Sequence, residues 1–145
     1  AEGGGTQTAA IHYGGQTPPG AKSAVTEDYD GTDWTNGPNM NTARNHHGGC
    51  GPSTAAVCVG GLVPPSNTLS AATEEYDGSS WTSTGNYPAA TQFIMAFGTS
   101  AAAIGAGGNT GLYITTTKDY DGSTWASTGN METSVRMPKG AGGNT

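Results

Sequence analysis

Three copies of one short sequence pattern divide this chain of 145 residues. The motif Tyr-Asp-Gly-x-x-Trp recurs with its tryptophans at Trp34, Trp81 and Trp125, which are 47 and then 44 residues apart. A segment of small apolar residues and a double glycine precede each copy. Self-similarity at a fixed period of this size is typical of repeat architectures. We therefore expect one domain made of three repeats, at about 8–53, 54–100 and 101–145. The repeated signature residues are Gly14, Gly15, Tyr29, Asp30, Trp34, Gly60, Gly61, Tyr76, Asp77, Trp81, Gly107, Gly108, Tyr120, Asp121 and Trp125.

Each repeat is predicted to contain four short β-strands. The Ala-rich segment ends at the double glycine, and a variable loop follows, such as 62–67 with its pair of prolines. In the next strand, 71–76, alternation with period two places Ala72, Glu74 and Tyr76 on one face. Asp-Gly then predicts a hairpin, the tryptophan lies on the returning strand, and 91–97 is predicted as the fourth strand.

The composition agrees with an all-β chain once the repeat is known. Glycine and proline make up 33 of 145 residues, close to the level typical of low-complexity chains. The repeat places much of this glycine at turns and strand ends, however, and no stretch has the apolar periodicity of a helix. Four strands in about 44–47 residues are typical of β-propeller blades. The tryptophan and tyrosine of each unit are predicted to fill the core between blades.

The signature residues resemble the Kelch repeat: an apolar strand ending in two glycines, a Tyr-Asp strand end, and a tryptophan a few residues later. The arginine that often opens the following Kelch strand is matched by Arg44 and Arg136, whereas the middle unit has Thr91. The Ala-, Gly-, Thr- and Asn-rich composition is similar to repeat arrays of tail-fibre-type structural proteins in phages from aquatic environments. This resemblance implies a structural or receptor-binding role, extracellular or in a virion.

Three blades form an open arc, because propellers have about four to eight. Residues 3–8 align with 141–145 in repeat register, so the chain is expected to begin and end in one blade hairpin. Two copies could close a six-bladed ring, the chain could belong to a longer array, or copies could join head to tail in a filament. In each of these hypotheses, further blades cover the two ends of the arc.

The charge distribution argues against one class of partner, and the hydropathy pattern argues against another. The net charge is −6, and only five lysines and arginines are spread along the chain, so no phosphate-binding stripe is expected. No apolar run is long enough for a membrane span. We therefore expect neither nucleic acid nor a membrane as a partner.

No residue cluster in the sequence predicts catalysis, a metal site or a cofactor. His46 and His47 are adjacent and would point to opposite faces of a strand, and His12 lies at a position that varies between repeats. Cys50 and Cys58 are predicted as small buried thiols, with a disulfide as the alternative. The aspartates of the Asp-Gly turns recur in all three repeats and are expected to accept backbone N–H groups.

The sequence therefore predicts a non-enzymatic structural or interaction protein that associates with copies of itself. The alternative is a glycan-binding lectin in which two chains close one six-bladed propeller. Polar loops that vary between the repeats would then be the place for a cell-surface glycan. These loops are 16–23, 62–70, 109–115 and 36–42.

Overall fold

The chain folds into antiparallel β-sheets. The structure, a computed structural model, describes residues 1–135. Over this range sixteen strands form five antiparallel sheets, none of them closed, and there is no helix, so none could cross a membrane. The all-β class predicted from the sequence is confirmed. Arg136 and the segment 141–145 lie outside the described residues.

The first four-stranded sheet and a small hairpin lie in residues 2–36. Their strands are β1 (Glu2–Thr6), β2 (Ala9–Tyr13), β3 (Gln16–Thr17), β4 (Ala21–Lys22), β5 (Thr26–Tyr29) and β6 (Trp34–Asn36). The first sheet has the order β1-β2-β5-β6, and β3 pairs with β4. Each strand of the first sheet therefore neighbours the next one along the chain, apart from the inserted hairpin.

The second sheet repeats this arrangement in residues 48–83. Its region contains β7 (Gly48–Cys50), β8 (Val57–Val59), β9 (Leu62–Val63), β10 (Thr68–Leu69), β11 (Thr73–Tyr76) and β12 (Trp81–Ser83). The sheet has the order β7-β8-β11-β12, and β9 pairs with β10 in a hairpin whose turn contains the two prolines. The loop predicted at 62–67 therefore includes one short strand, which ends before Pro64 because proline cannot donate to a ladder.

The third sheet corrects one strand assignment. It consists of β13 (Met95–Thr99), β14 (Ala102–Ala106), β15 (Thr117–Tyr120) and β16 (Trp125–Ser127), in that order. A strand that turns into the next Ala-rich segment is present, as predicted, but it begins at Met95. The assignment of 91–97 to the second unit is wrong, because β13 pairs with β14 and opens the third sheet. A two-residue connection between the paired Thr99 and Ala102 folds β13 directly back onto β14.

The core lies between the sheets, and each sheet contributes one face to it. Ile11, Tyr13 and Met40 pack with Ala56, Cys58, Tyr76 and Trp81 between the first and second sheets. Val57, Val59 and Cys50 pack with Tyr120, Trp125 and their neighbours between the second and third sheets. The second sheet is therefore buried on both faces, with alternate residues facing either neighbour.

Small residues allow the sheets to approach each other. The sheets are in contact through their first strands, since β7 lies against β1 on one side and β13 on the other. A Cβ atom added at Gly49 would lie 2.9 Å from the Cβ of Glu2. Cys50 and Cys58 are both buried and unpaired, as predicted, and burial raises the pKa of each thiol to about 12.

The double glycines have the backbone conformation expected from the sequence. All six have positive φ, which side chains of L-residues rarely tolerate. At Gly61 φ is +92°, and a Cβ atom would lie 2.6 Å from the backbone oxygen of Asn45. A glycine is therefore required at position 61 both by the backbone conformation and by the close approach of the Asn45 backbone.

Gly61→Ala is expected to lower the free energy of unfolding by about 3 kcal/mol, since it combines backbone strain with a backbone clash. Gly111→Ala separates the two effects, because Gly111 has φ +116° but nothing within 4 Å of an added Cβ, and should cost about 1–2 kcal/mol. Gly129 has neither constraint, so Gly129→Ala should be nearly neutral. Denaturant unfolding measures the order, and equal costs for Gly61 and Gly111 would contradict the close approach.

Candidate functional site

The same tryptophan hydrogen bond joins the second sheet to the first and the third sheet to the second. The indole Nε1 of Trp81, on the second sheet, donates to Thr26 Oγ1 of the first sheet over 2.9 Å. Trp125 of the third sheet donates to Thr73 Oγ1 of the second over 2.9 Å. Thr26 and Thr73 begin β5 and β11, so they occupy the same place in their sheets. The same contact thus forms twice.

A tyrosine ring supports each tryptophan. Tyr76 and Trp81 face each other across the β11–β12 pair with ring centroids 5.2 Å apart, and Tyr120 and Trp125 do the same at 4.7 Å. The Tyr76 hydroxyl donates to the Asp28 carboxylate of the first sheet over 3.3 Å. Burial, with Asp28 acting in the same direction, raises the pKa of Tyr76. Tyr76 and Trp81 therefore both donate a hydrogen bond to the preceding sheet.

The second interface uses a related contact for its tyrosine. Tyr120 donates to Thr84 Oγ1 over 2.7 Å. Burial raises the pKa of Tyr120 to about 12, and the neighbouring Glu75 carboxylate acts in the same direction. Glu75 lies on β11 where Asp28 lies on β5, so each tyrosine has a carboxylate of the preceding sheet beside it.

The same aromatic pair is exposed at one end of the structure. Tyr29 and Trp34 stack at 5.2 Å on the first sheet, but Trp34 is 53% exposed, whereas Trp81 is 6% and Trp125 9% exposed. The prediction of buried aromatics is confirmed for the second and third sheets and wrong for Trp34. The reason is that no sheet packs against this side of the first sheet within residues 1–135. We call this side, with Glu27, Tyr29 and Trp34, the first outer face.

The third sheet has an exposed side of its own. Ile104 on β14 is 43% exposed, whereas the residues at the same repeat position, Ile11 and Val57, are 1% and 0% exposed. We call this side, with Ile104, Thr117 and Asp119, the third outer face. The first and third outer faces correspond to the two sides that meet in each interface within the chain.

The three Asp-Gly turns have a shared structural role. The Oδ1 atom of Asp77 accepts the backbone N–H groups of Ser79 and Ser80 over 2.8 Å each, and the Ser79 hydroxyl also donates to it over 2.8 Å. The equivalent backbone bonds form at Asp30 and Asp121, and the hydroxyl bond recurs at Asp121 only. The predicted acceptor role of these aspartates is confirmed. These bonds, the Ser79 hydroxyl first, lower the pKa of Asp77 to about 2.

A buried ion pair joins the connection between β6 and β7 to the second sheet, and the sequence did not lead us to predict it. Arg44 Nη2 donates to Glu74 Oε1 over 2.6 Å, and both side chains are buried. The other Glu74 oxygen accepts the backbone N–H of Asn41 over 2.7 Å. The predicted alternation on β11 contained the signal, since a glutamate on the same face as buried Tyr76 requires a cationic partner. Arg44 itself was identified only through the Kelch resemblance.

The three histidines have different environments. His47 is buried beside Tyr13, and burial lowers its pKa well below the usual value, while His46 is exposed beside Phe93. His12 pairs with Glu27 across the first sheet over 3.7 Å. Within residues 1–135, no group of three His, Cys, Asp or Glu side chains is placed to hold a metal ion.

The polar loops lie at the ends of the sheets. Lys22 Nζ in the first loop donates to Asn67 Oδ1 in the second over 2.7 Å, so these two loops are in contact. In the loop at 109–115, Leu112 and Tyr113 are exposed. Comparison of the chain with models of protein families finds no match, and comparison with curated proteins finds none either.

Trp81→Ala is expected to lower the free energy of unfolding by about 3–5 kcal/mol, because it removes a buried aromatic and leaves Thr26 without its donor. Trp34→Ala is the matched control. It should cost about 1 kcal/mol or less, because half of the side chain is already in water. Denaturant unfolding at low protein concentration measures both without a contribution from self-association. Equal losses would contradict the assignment of Trp81 to the core.

Ser79→Ala should raise the pKa of Asp77 from about 2 towards its usual value of 3.8, since it removes the main hydrogen bond to the carboxylate. Because the folded pKa is the lower one, the turn stabilises the fold above pH 3.8 and loses this contribution as the pH falls through about 2. An NMR titration of the Asp77 carboxyl carbon measures the pKa. Ser66→Ala, in a distant exposed loop, should leave it unchanged.

Proposed function

We propose that this chain is a non-enzymatic structural and interaction module of Kelch-like propeller blades that acts by associating with further blades of its own kind. One observation carries the proposal: a repeated aromatic contact that is buried twice within the chain is left exposed on the first outer face. Exposed apolar surface of this kind is typical of interaction sites. The open arc of three blades supports the same conclusion, because closed propellers contain more.

The working environment is proposed to be extracellular or a virion, within a fibre-type assembly. Support comes from the resemblance to repeat arrays of tail-fibre-type phage proteins and from the composition. Only 11% of the residues are charged, and Thr, Ser, Asn and Gly dominate the loops. The carboxylates of the three turns are hydrogen-bonded to backbone amides in the same way, which suits scaffolding and leaves the repeat symmetry intact.

A glycan-binding lectin is the second candidate. The loop at 109–115 favours it, because Tyr113 is exposed and forms a β-bridge with Asn109, whose side chain is a polar amide. An aromatic face together with polar donors suits a sugar ring. Binding to a glycan array that is lost in Tyr113→Ala would favour the lectin, and no binding at millimolar glycan would favour the pure scaffold.

The mass of the purified chain in solution tests the proposal. Sedimentation velocity over a range of concentrations should show species larger than the 14.5 kDa chain, and electron microscopy should show whether they are rings or fibres. Self-association should grow with concentration, because it follows mass action. A stable monomer at every concentration would contradict self-association of this chain.

A further inference from the structure

The two outer faces carry matching halves of one interface. On β5, Thr26 and Asp28 accept hydrogen bonds from the second sheet, and alternation therefore places Glu27 and Tyr29 on the opposite, first outer face. On β15, Tyr120 faces the second sheet, so Thr117 and Asp119 lie on the third outer face. The first outer face thus has the residue positions that donate hydrogen bonds between sheets within the chain. The third outer face has the positions that accept them.

The donors of the first outer face are an indole and a phenol. Trp34 and Tyr29 are paired across β5 and β6 and stack in the same way as Tyr76 with Trp81. In the two interfaces within the chain, the tryptophan of this pair donates Nε1 to a threonine over 2.9 Å. Trp34 is exposed, so it is available for the same contact with a further sheet.

The acceptors of the third outer face are a threonine hydroxyl and a carboxylate. Thr117 begins β15 as Thr26 begins β5 and Thr73 begins β11. Thr26 and Thr73, which each accept a hydrogen bond from a tryptophan, are 0% exposed, whereas Thr117 is 9% exposed. Asp119 is exposed at the position of Asp28, which accepts from Tyr76. Beside them Ile104 and its cross-strand partner Phe97 supply apolar surface for an aromatic side chain.

We propose that the first outer face of one copy of this chain docks on the third outer face of a second copy. Trp34 Nε1 then donates to Thr117 of the second copy and Tyr29 to Asp119, which reproduces the contacts between sheets within one chain. The inference rests on the proposed function, self-association, and names the surface that performs it. Its main basis is that both interfaces within the chain use the Trp–Thr positions, and that the first interface also uses the Tyr–Asp positions.

The distribution of donors and acceptors fixes the orientation. Two first outer faces placed together would present Trp34 and Tyr29 to each other, with no threonine at the place of Thr26 or Thr73, and would bring their Glu27 carboxylates close together. Two third outer faces would place the Asp119 carboxylates near each other, which is unfavourable for like charges. The association is therefore head to tail, with one face of each kind used per copy. It gives a ring where the rotation closes and a filament where it does not.

Variants on each outer face test the proposal by sedimentation velocity. Trp34→Ala and Ile104→Glu should each raise the dissociation constant by about 30-fold, as expected for a central aromatic and for a buried charge. Thr117→Val keeps the shape and removes the acceptor, so about fivefold is expected. Thr82→Val and Ser83→Ala are matched controls, since both residues are exposed on the second sheet, outside the two faces, and should leave the constant unchanged.

A mixture of two variants tests the orientation. The Trp34→Ala copy keeps an intact third outer face, and the Ile104→Glu copy keeps an intact first outer face. At a concentration well below its raised dissociation constant, each variant alone should be monomeric, and an equimolar mixture should form heterodimers and nothing larger. Circular dichroism of each variant, alone and at low concentration, establishes that it is folded before it is mixed.

The outcomes separate this inference from the proposed function. Assembly that persists unchanged in both the Trp34 and Ile104 variants would overturn the assigned interface and leave self-association standing. A Trp34→Ala monomer combined with unimpaired Ile104→Glu dimers would show a symmetric contact and overturn the head-to-tail orientation. A wild-type chain that remains monomeric at every concentration would overturn the proposed self-association, and this interface with it.

Discussion

The contact of a tryptophan with the preceding sheet is the interaction on which the rest of this structure depends. The strands are short and rich in Ala, Gly and Thr, so no sheet can bury a core of its own. Trp81 and Trp125 supply the large apolar surface, and Thr26 and Thr73 each accept an indole N–H that would otherwise be buried without a partner. The stabilising contacts therefore lie between the sheets, and each outer sheet has one face without a sheet packed against it in residues 1–135.

The two interfaces reach similar packing with different residues. Trp81 lies against Tyr13 of β2 at a centroid distance of 5.0 Å, whereas the residue at the position of Tyr13 in the second sheet is Val59. Tyr87, from the segment after β12, supplies the aromatic contact to Trp125 at 5.0 Å, and its equivalent in the first repeat is Met40. A large residue at one position thus accompanies a smaller one at the other, as dense packing requires.

The sequence predicts the repeat, the all-β class and the turn chemistry, because each of these depends on local backbone constraints. Asp77 and the double glycines are examples, since their roles follow from the residues next to them. Neither the exposure of Trp34 nor the placement of 91–97 could be predicted in this way. Identical motifs predict identical environments, and only the arrangement of the sheets distinguishes an inner side from an outer one. The hairpin between β13 and β14 likewise competes with a pairing onto β12 that local pattern alone does not exclude.

The Arg44–Glu74 pair adds to this repeated framework a contact that distinguishes one sheet from another. The position of Glu74 is occupied by Lys118 in the third sheet, and the position of Arg44 by Thr91 in the second connection. If the third sheet took the place of the second, Lys118 would bring a second positive charge to buried Arg44, which is costly where water is excluded. The repeated Trp–Thr contact thus favours any sheet of this kind, while the Arg–Glu pair disfavours the third sheet in the place of the second. The association of the sheets and the order in which they follow one another therefore depend on different residues of the same interface.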